Sequence, residues 1–321
     1  MEEKKIPLII DTDPGIDDAA SIFWVLASGK FDVKALTVTH GNVGVDSCTK
    51  NALRLLQAAG RPDIPVYKGS PRPLIRPRIS AEFAHGNDGM GNTDMPAPTI
   101  EAAEGHAANR IVEIARASQR PVTILAIGPI TNVALAILLE PELKRYVEKI
   151  IFMGGAVHVA GNMTPVASFN VVADPEAAQI VYRSGIPVVQ IGLDICNQFS
   201  FYPQDFEQLR KTGTPITSFI WQMVQFRLAQ IGGENARAIE SVARLESIAL
   251  NDVAATSYLM NPDWFQTEMV VGDVETAGRC AGMTVLDFAN RENREPNVCF
   301  AYGVDSKAAI AQWSADLCAA K

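Results

Sequence analysis

The chain has 321 residues, 48% of them apolar, and a net charge of −8. That is enough chain for a sizeable buried core, and the acidic balance argues against a surface that neutralises nucleic-acid phosphates. The five cysteines are scattered with no C-x-x-C pair, so reduced thiols are expected rather than a disulfide framework. "MEEKKIPLII" has acids where a secretory leader carries basic residues, and no run approaches the roughly 18 apolar residues of a membrane span. A cytoplasmic protein with no membrane partner is the expectation.

In chain order, a strand over residues 7–10 leads to a helix over 19–28, and a strand over 33–39 to a helix over 49–59. Further on, a helix over 106–118 precedes a strand over 122–127, followed by a helix over 132–139 and a strand over 149–153. A helix over 175–184, a strand over 187–193 and a helix over 252–259 continue the alternation. The strands are apolar throughout rather than alternating with polar residues, as in a parallel sheet covered on both faces. "EMVVGDVETAG", "GMTVLDF" and "NVCFAYGV" then read as successive strands without helices between them, and a last helix starts at Ser306. The expected fold is therefore α/β: an open, mostly parallel central sheet flanked by helices, with a small antiparallel extension, in one domain over 1–321. Residues 69–99 are rich in Pro and Gly and lack periodicity. They read either as a surface loop or as a lid whose flexibility comes from Gly86, Gly89 and Gly91.

In an open parallel sheet, ligands bind beyond the carboxyl ends of the strands. Here those ends lead into "DTDPGIDD", "HGN", "GPITN" and "GGAVHVAGN", loops of Asp, Asn and Gly that should meet at one polar pocket. The first loop holds Asp11, Asp13, Asp17 and Asp18. An N-cap needs one acid, whereas two carboxylates about 4 Å apart repel by about 4 kcal/mol at an effective dielectric near 20. A bound cation relieves that repulsion, and an all-oxygen ligand set selects a hard ion, Ca²⁺ or Mg²⁺. Asp252, in "LNDVAATSYLMNP", is either a distant ligand or a helix cap.

The ordered series "DTDPGIDDA", "HGN", "HGNDGMGN", "AIGPITN", "FMGGAV", "GNMTPVASFNVVADPEAA" and "NDVAA" resembles the inosine-uridine preferring nucleoside hydrolase family along nearly the whole chain. The resemblance implies the nucleoside hydrolase fold with its Rossmann-like core, and hydrolysis of the N-glycosidic bond of a ribonucleoside at a Ca²⁺ ion. It implies Asp13, Asp18, Asp252 and the backbone carbonyl of Ile127 as metal ligands, with Asp13 also the general base toward water. Asp17, Asn42 and Asn170 would hold the ribose hydroxyls, with Asn162 at the 5′-hydroxyl and Met153 also in the binding site; Asp11 would support the loop. A homodimer or homotetramer is the usual assembly.

Two positions depart from the family pattern. Asn251 stands where a His protonates the leaving base, and an amide is no acid. Ser168 stands where a Glu meets the 5′-hydroxyl, which suggests either contact through a water or a hydrolase of 5′-modified nucleosides, and the two departures together suggest a catalytically weak or silent ribosyl-binding homologue. His85, and less so His158, are the alternative acids, while Trp221 and Phe226 are rings that either reach the base or belong to the core. A strand ending in D-x-D also resembles the haloacid dehalogenase phosphohydrolases, but "PGIDD" does not continue that motif.

Overall fold

The computed structural model describes residues 5–93, 95–231 and 247–320. In chain order, β1 (Ile6–Thr12), α1 (Ile16–Ser28), β2 (Phe31–Val38), α2 (Val45–Ala58) and β3 (Val66–Lys68) form the first unit. Then come α3 (Glu82–His85), α4 (Ala107–Ala117), β4 (Val122–Ala126), α5 (Thr131–Leu139), β5 (Val147–Met153), α6 (Phe169–Ala173), α7 (Pro175–Tyr182) and β6 (Val188–Ile191). The last part holds α8 (Leu193–Cys196), α9 (Glu207–Thr212), α10 (Pro215–Ile231), α11 (Asn251–Met260), β7 (Phe265–Val274), β8 (Thr284–Asp287), β9 (Val298–Val304) and α12 (Ser306–Ala319).

The strands of the described residues join one nine-stranded sheet in the order β3-β2-β1-β4-β5-β6-β9-β7-β8. Its first seven strands are parallel; β7 runs antiparallel to both β9 and β8. The α/β fold with an antiparallel extension is thus as the sequence predicts, with β9 crossing back to pair in parallel with β6. Neighbouring residues of β1 face opposite sides: Leu8 and Ile10 enter one core with Phe23, Trp24 and Trp313, while Ile9 enters the other with Ile111, Val133 and Val181. Each fully buried aliphatic side chain contributes about 1.5–3 kcal/mol, so β1, apolar on both faces, is held rigidly where the site begins.

The sequence misses β3, whose three residues lie at the sheet edge, and places several boundaries a few residues short. The most consequential concerns β1, which runs on through Asp11 and Thr12. Likewise, α1 starts at Ile16 with Gly15 as its cap, and α11 starts at Asn251 after Leu250. Asp17, Asp18 and Asp252 are therefore first-turn residues rather than N-caps. Residues 69–80 are tied down at several points: Ser70 N–H donates to Asn132 Oδ1, Leu74 N–H to Asp174, and Arg76 pairs with Glu176. Among the described residues, no helix is long and apolar enough to cross a membrane.

Candidate active site

The sheet order changes direction between β1 and β4, and the site lies at that switch. Asp11 is paired in register with Thr37 on one side and Ala126 on the other. Its Oδ1 accepts Thr37 Oγ1 at 2.7 Å and Asn132 Nδ2 at 2.9 Å. Burial pushes the Asp11 carboxyl up to about 7 against those two hydrogen bonds. Asp11 therefore joins the turn to its neighbours from below and does not line the cavity.

The turn that follows is built around Asp18. Its Oδ1 accepts Thr12 Oγ1 at 2.5 Å and Asp13 N–H at 3.3 Å, while Oδ2 accepts Gly15 N–H at 2.9 Å and Asn42 Nδ2 at 3.0 Å. Asp13 Oδ2 accepts the backbone N–H of Asn42 at 2.7 Å, and Asp13 Oδ1 is buried with no hydrogen-bond partner. The close approach requires Gly41, where a Cβ would lie 1.9 Å from Asp13 Oδ2. From the far end of the chain α11 brings Asp252, and carboxylate oxygens of Asp17, Asp18 and Asp252 lie within 4.8 Å of one another.

Burial, reinforced by the neighbouring charges, raises Asp13, Asp18 and Asp252. Asp18 is pushed up to about 7 by burial and then by Asp17. Asp13, by burial and then Asp18, and Asp252, by burial and then Asp17, are driven well above the ordinary carboxylate range. Asp17, Asp18 and Asp252, whose oxygens converge, form a donor set that fits a divalent cation, and Asp13 Oδ1 and Asp17 Oδ1 are buried without a hydrogen-bond partner. The expected carbonyl ligand, Ile127 O, already accepts Asn170 Nδ2 at 2.9 Å, which leaves its second lone pair.

A cavity of about 270 Å³ opens above this floor, close to the small end of ligand pockets at roughly 300–1,000 Å³. The sequence-predicted residues Asp17, Asn42, His85, Ile127, Met153, Asn162, Asn170, Asn251 and Asp252 all line it. Asn170 Nδ2 also donates to the Met153 carbonyl at 2.9 Å, and Asn162 Oδ1 accepts Phe169 N–H at 2.9 Å.

Three sequence expectations change. Ser168 is fully buried, its Oγ accepts Gly155 N–H at 2.7 Å, and it is not on the cavity wall. His85 reaches the cavity, but its Nδ1 accepts Ile16 N–H at 3.1 Å, which leaves the proton on Nε2. Burial pushes its pKa down to about 4, against the charge of Asp17 3.8 Å away. Position 85 thus offers a neutral hydrogen-bond donor in place of the acid expected from the sequence. His158 faces the rings of Phe288 and Phe300 instead. Trp221 and Phe226 pack against the core, and the neighbouring Arg227 lines the cavity, its Nη1 donating to Ala84 O at 3.0 Å. Arg227, Phe83, Met163 and Phe169 are wall residues that the sequence does not single out; no motif surrounds Arg227 in "QMVQFRLAQ".

A doubly wound sheet with clustered aspartates under a small amide-lined cavity defines a small-molecule enzyme whose acids act together. Residues 8–311 match the model of the inosine-uridine preferring nucleoside hydrolases, and the chain belongs to that family. It is a ribonucleoside N-glycosidase. It is 38% identical over 307 residues to the pyrimidine-specific ribonucleoside hydrolase RihA of Klebsiella pneumoniae, covering 95% of this chain and 96% of that one. The RihA of Salmonella schwarzengrund is 39% identical over 302 residues, 94% of each chain. Among solved structures, a purine-preferring ribonucleoside hydrolase from Gardnerella vaginalis superposes with a TM-score of 0.90 at 28% identity, over 97% of this chain and 98% of that one. A plant nucleoside hydrolase does so with a TM-score of 0.90 at 32% identity, over 98% and 99%.

Proposed function

We propose that the cavity takes a pyrimidine ribonucleoside beside a Ca²⁺ ion held by Asp13, Asp18, Asp252 and the Ile127 carbonyl. The observation that carries this reading is Asp13 Oδ1, a buried carboxylate oxygen without a partner among acids that cannot all ionise unaided. Such an atom calls for a cation or a reacting water. Carboxylates together with a backbone carbonyl suit the six to eight oxygens of Ca²⁺ better than the strict octahedron of Mg²⁺. The pyrimidine preference is supported by the 38–39% identity to relatives named for it.

Ribose hydroxyls are assigned to Asp17, Asn42 and Asn170, with Asn162 toward the 5′ end and Met153 also against the substrate. Loss of the base leaves an oxocarbenium-like sugar, which the surrounding carboxylates stabilise. The ion, when bound, lowers the pKa of water beside the anomeric carbon. Asp13 takes the water's proton on Oδ1, because Oδ2 is engaged by Asn42. His85 Nε2–H and the Asn251 amide donate hydrogen bonds to the leaving base.

A second reading, a substrate with a 5′ substituent, is favoured by the withdrawal of Ser168 from a wall that holds Met163 and Phe169. The remaining proposals are a single unit over residues 1–321, a cytoplasmic setting and a homodimer or homotetramer. One sheet built from strands of both ends supports the first, five unpaired cysteines the second, and the exposed Leu138 and Leu139 the third. The test is nucleobase release from uridine, cytidine, inosine, adenosine and a 5′-substituted uridine, with chelator and with Ca²⁺ or Mg²⁺ restored. Chelator-sensitive release, fastest for uridine or cytidine with Ca²⁺, is expected; chelator-insensitive release or a purine preference would overturn the assignment.

A further inference from the structure

Residues 85–92 fold over the aspartate turn with no regular element beyond the end of α3. Their own bonds give them a shape: Gly89 N–H donates to Gly86 O at 3.0 Å and Gly91 N–H to His85 O at 2.8 Å. Asp88 Oδ1 accepts Met90 N–H at 2.7 Å and Asn92 N–H at 2.8 Å. None of these bonds determines where the segment sits relative to the turn after β1.

The side chain of Asn51, on α2, makes that connection. Its Nδ2 donates to the Pro14 carbonyl at 3.2 Å and to the Asp88 carbonyl at 2.8 Å, and its Oδ1 accepts Arg54 Nη1 at 3.2 Å. The residue is 1% exposed, so solvent cannot replace either bond. A primary amide carries two N–H donors on one nitrogen, which this bridge requires; an ionised carboxylate of the same size has none. Gly89 has φ +79°, and a Cβ there would meet Asn51 Nδ2 at 3.0 Å and Pro14 O at 3.4 Å, so the segment is fitted closely against the amide.

We propose that Asn51 is a positioning residue for the reaction: its amide clamps residues 85–92 onto the turn 13–18 and so holds His85 at the cavity wall. His85 is anchored through its carbonyl, by Gly91, and through Nδ1, by Ile16 N–H at 3.1 Å. Sliding the segment by about 1 Å takes that ring out of hydrogen-bond range. The kinetic part of this proposal rests on the function proposed above; the structural part does not.

The test uses the full chain, with Asn51→Leu and Asn51→Asp, and with Asp88→Ala to loosen the same segment from its other side. Amide exchange, measured without substrate, should quicken by about tenfold or more at Gly89, Met90, Gly91, Asn92 and Ile16, and stay unchanged in β1 and β4. The kcat/KM of Asn51→Leu should fall by about tenfold, but by less than about twofold further in a His85→Ala background. Unchanged exchange at 89–92, or losses that add fully in the double variant, would overturn the proposal. If Asn51→Leu does not fold, Asn51→Ser, which keeps one donor, should show the same pattern to a smaller extent. If no nucleoside is hydrolysed, the exchange experiment still decides the clamp, so the two failures are read apart.

Discussion

Asn42 donates its backbone N–H to Asp13 Oδ2 at 2.7 Å, and the other oxygen of that carboxylate has no partner. The carboxylate is thereby oriented by one edge and left without a hydrogen bond at the other. Asp13→Asn keeps the shape but removes the acceptor, so kcat should drop by roughly a hundred- to ten-thousand-fold. Steady-state nucleobase release checks this, with a thermal melt to establish that the variant folds. Activity within about threefold of wild type would remove Asp13 from the chemistry.

The raised carboxyls predict a pH dependence of stability in the ion-free protein. Asp11 and Asp18 move from the ordinary 3.8 up to about 7, so between those values the folded state holds protons that the unfolded chain has released. Stability is then fully present below about pH 4 and is lost as the pH rises through about 7. In chelator, Tm should fall across that window, and the gain in Tm on adding Ca²⁺ should grow with pH. Thermal melts in matched buffers measure both; a Ca²⁺ shift that shrinks with rising pH contradicts the assignment of the cluster to a cation.

His85 is held as a neutral donor, so it should not impose an ionisation on the reaction. Between about pH 6 and 8 the kcat/KM profile of His85→Ala should run parallel to that of wild type and about tenfold below it. A limb near the ordinary His pKa that disappears in the variant would restore the role of acid to this residue.

Ser168 belongs to the support of the Gly155 backbone rather than to the substrate. Ser168→Ala leaves a buried N–H unsatisfied and should cost about 1–3 kcal/mol of stability, read from urea unfolding. KM for uridine should change by less than about twofold. A large rise in KM with stability intact would place the hydroxyl back at the ribose.

Much was legible from local pattern. Apolar β-branched runs separated by amphipathic stretches gave the parallel sheet, because period and composition are properties of the chain itself. Four aspartates in the eight positions 11–18 announced a charged site, because their mutual repulsion follows from spacing alone. The sequence also pointed to the edge of the sheet where the Asn- and Asp-bearing loops meet, since parallel strands all end on one side.

Partners and orientations were decided only by the tertiary structure. Which acids are buried, that Asp13 keeps one oxygen free, that Ser168 turns to Gly155 and that His85 Nδ1 meets Ile16 all depend on residues distant in sequence. Arg227 enters the cavity because α10 lies over α3, which no spacing within either helix reveals. A side chain's type is written in the chain, whereas its partner and its proton are set by the burial and register of strands and helices that meet only on folding.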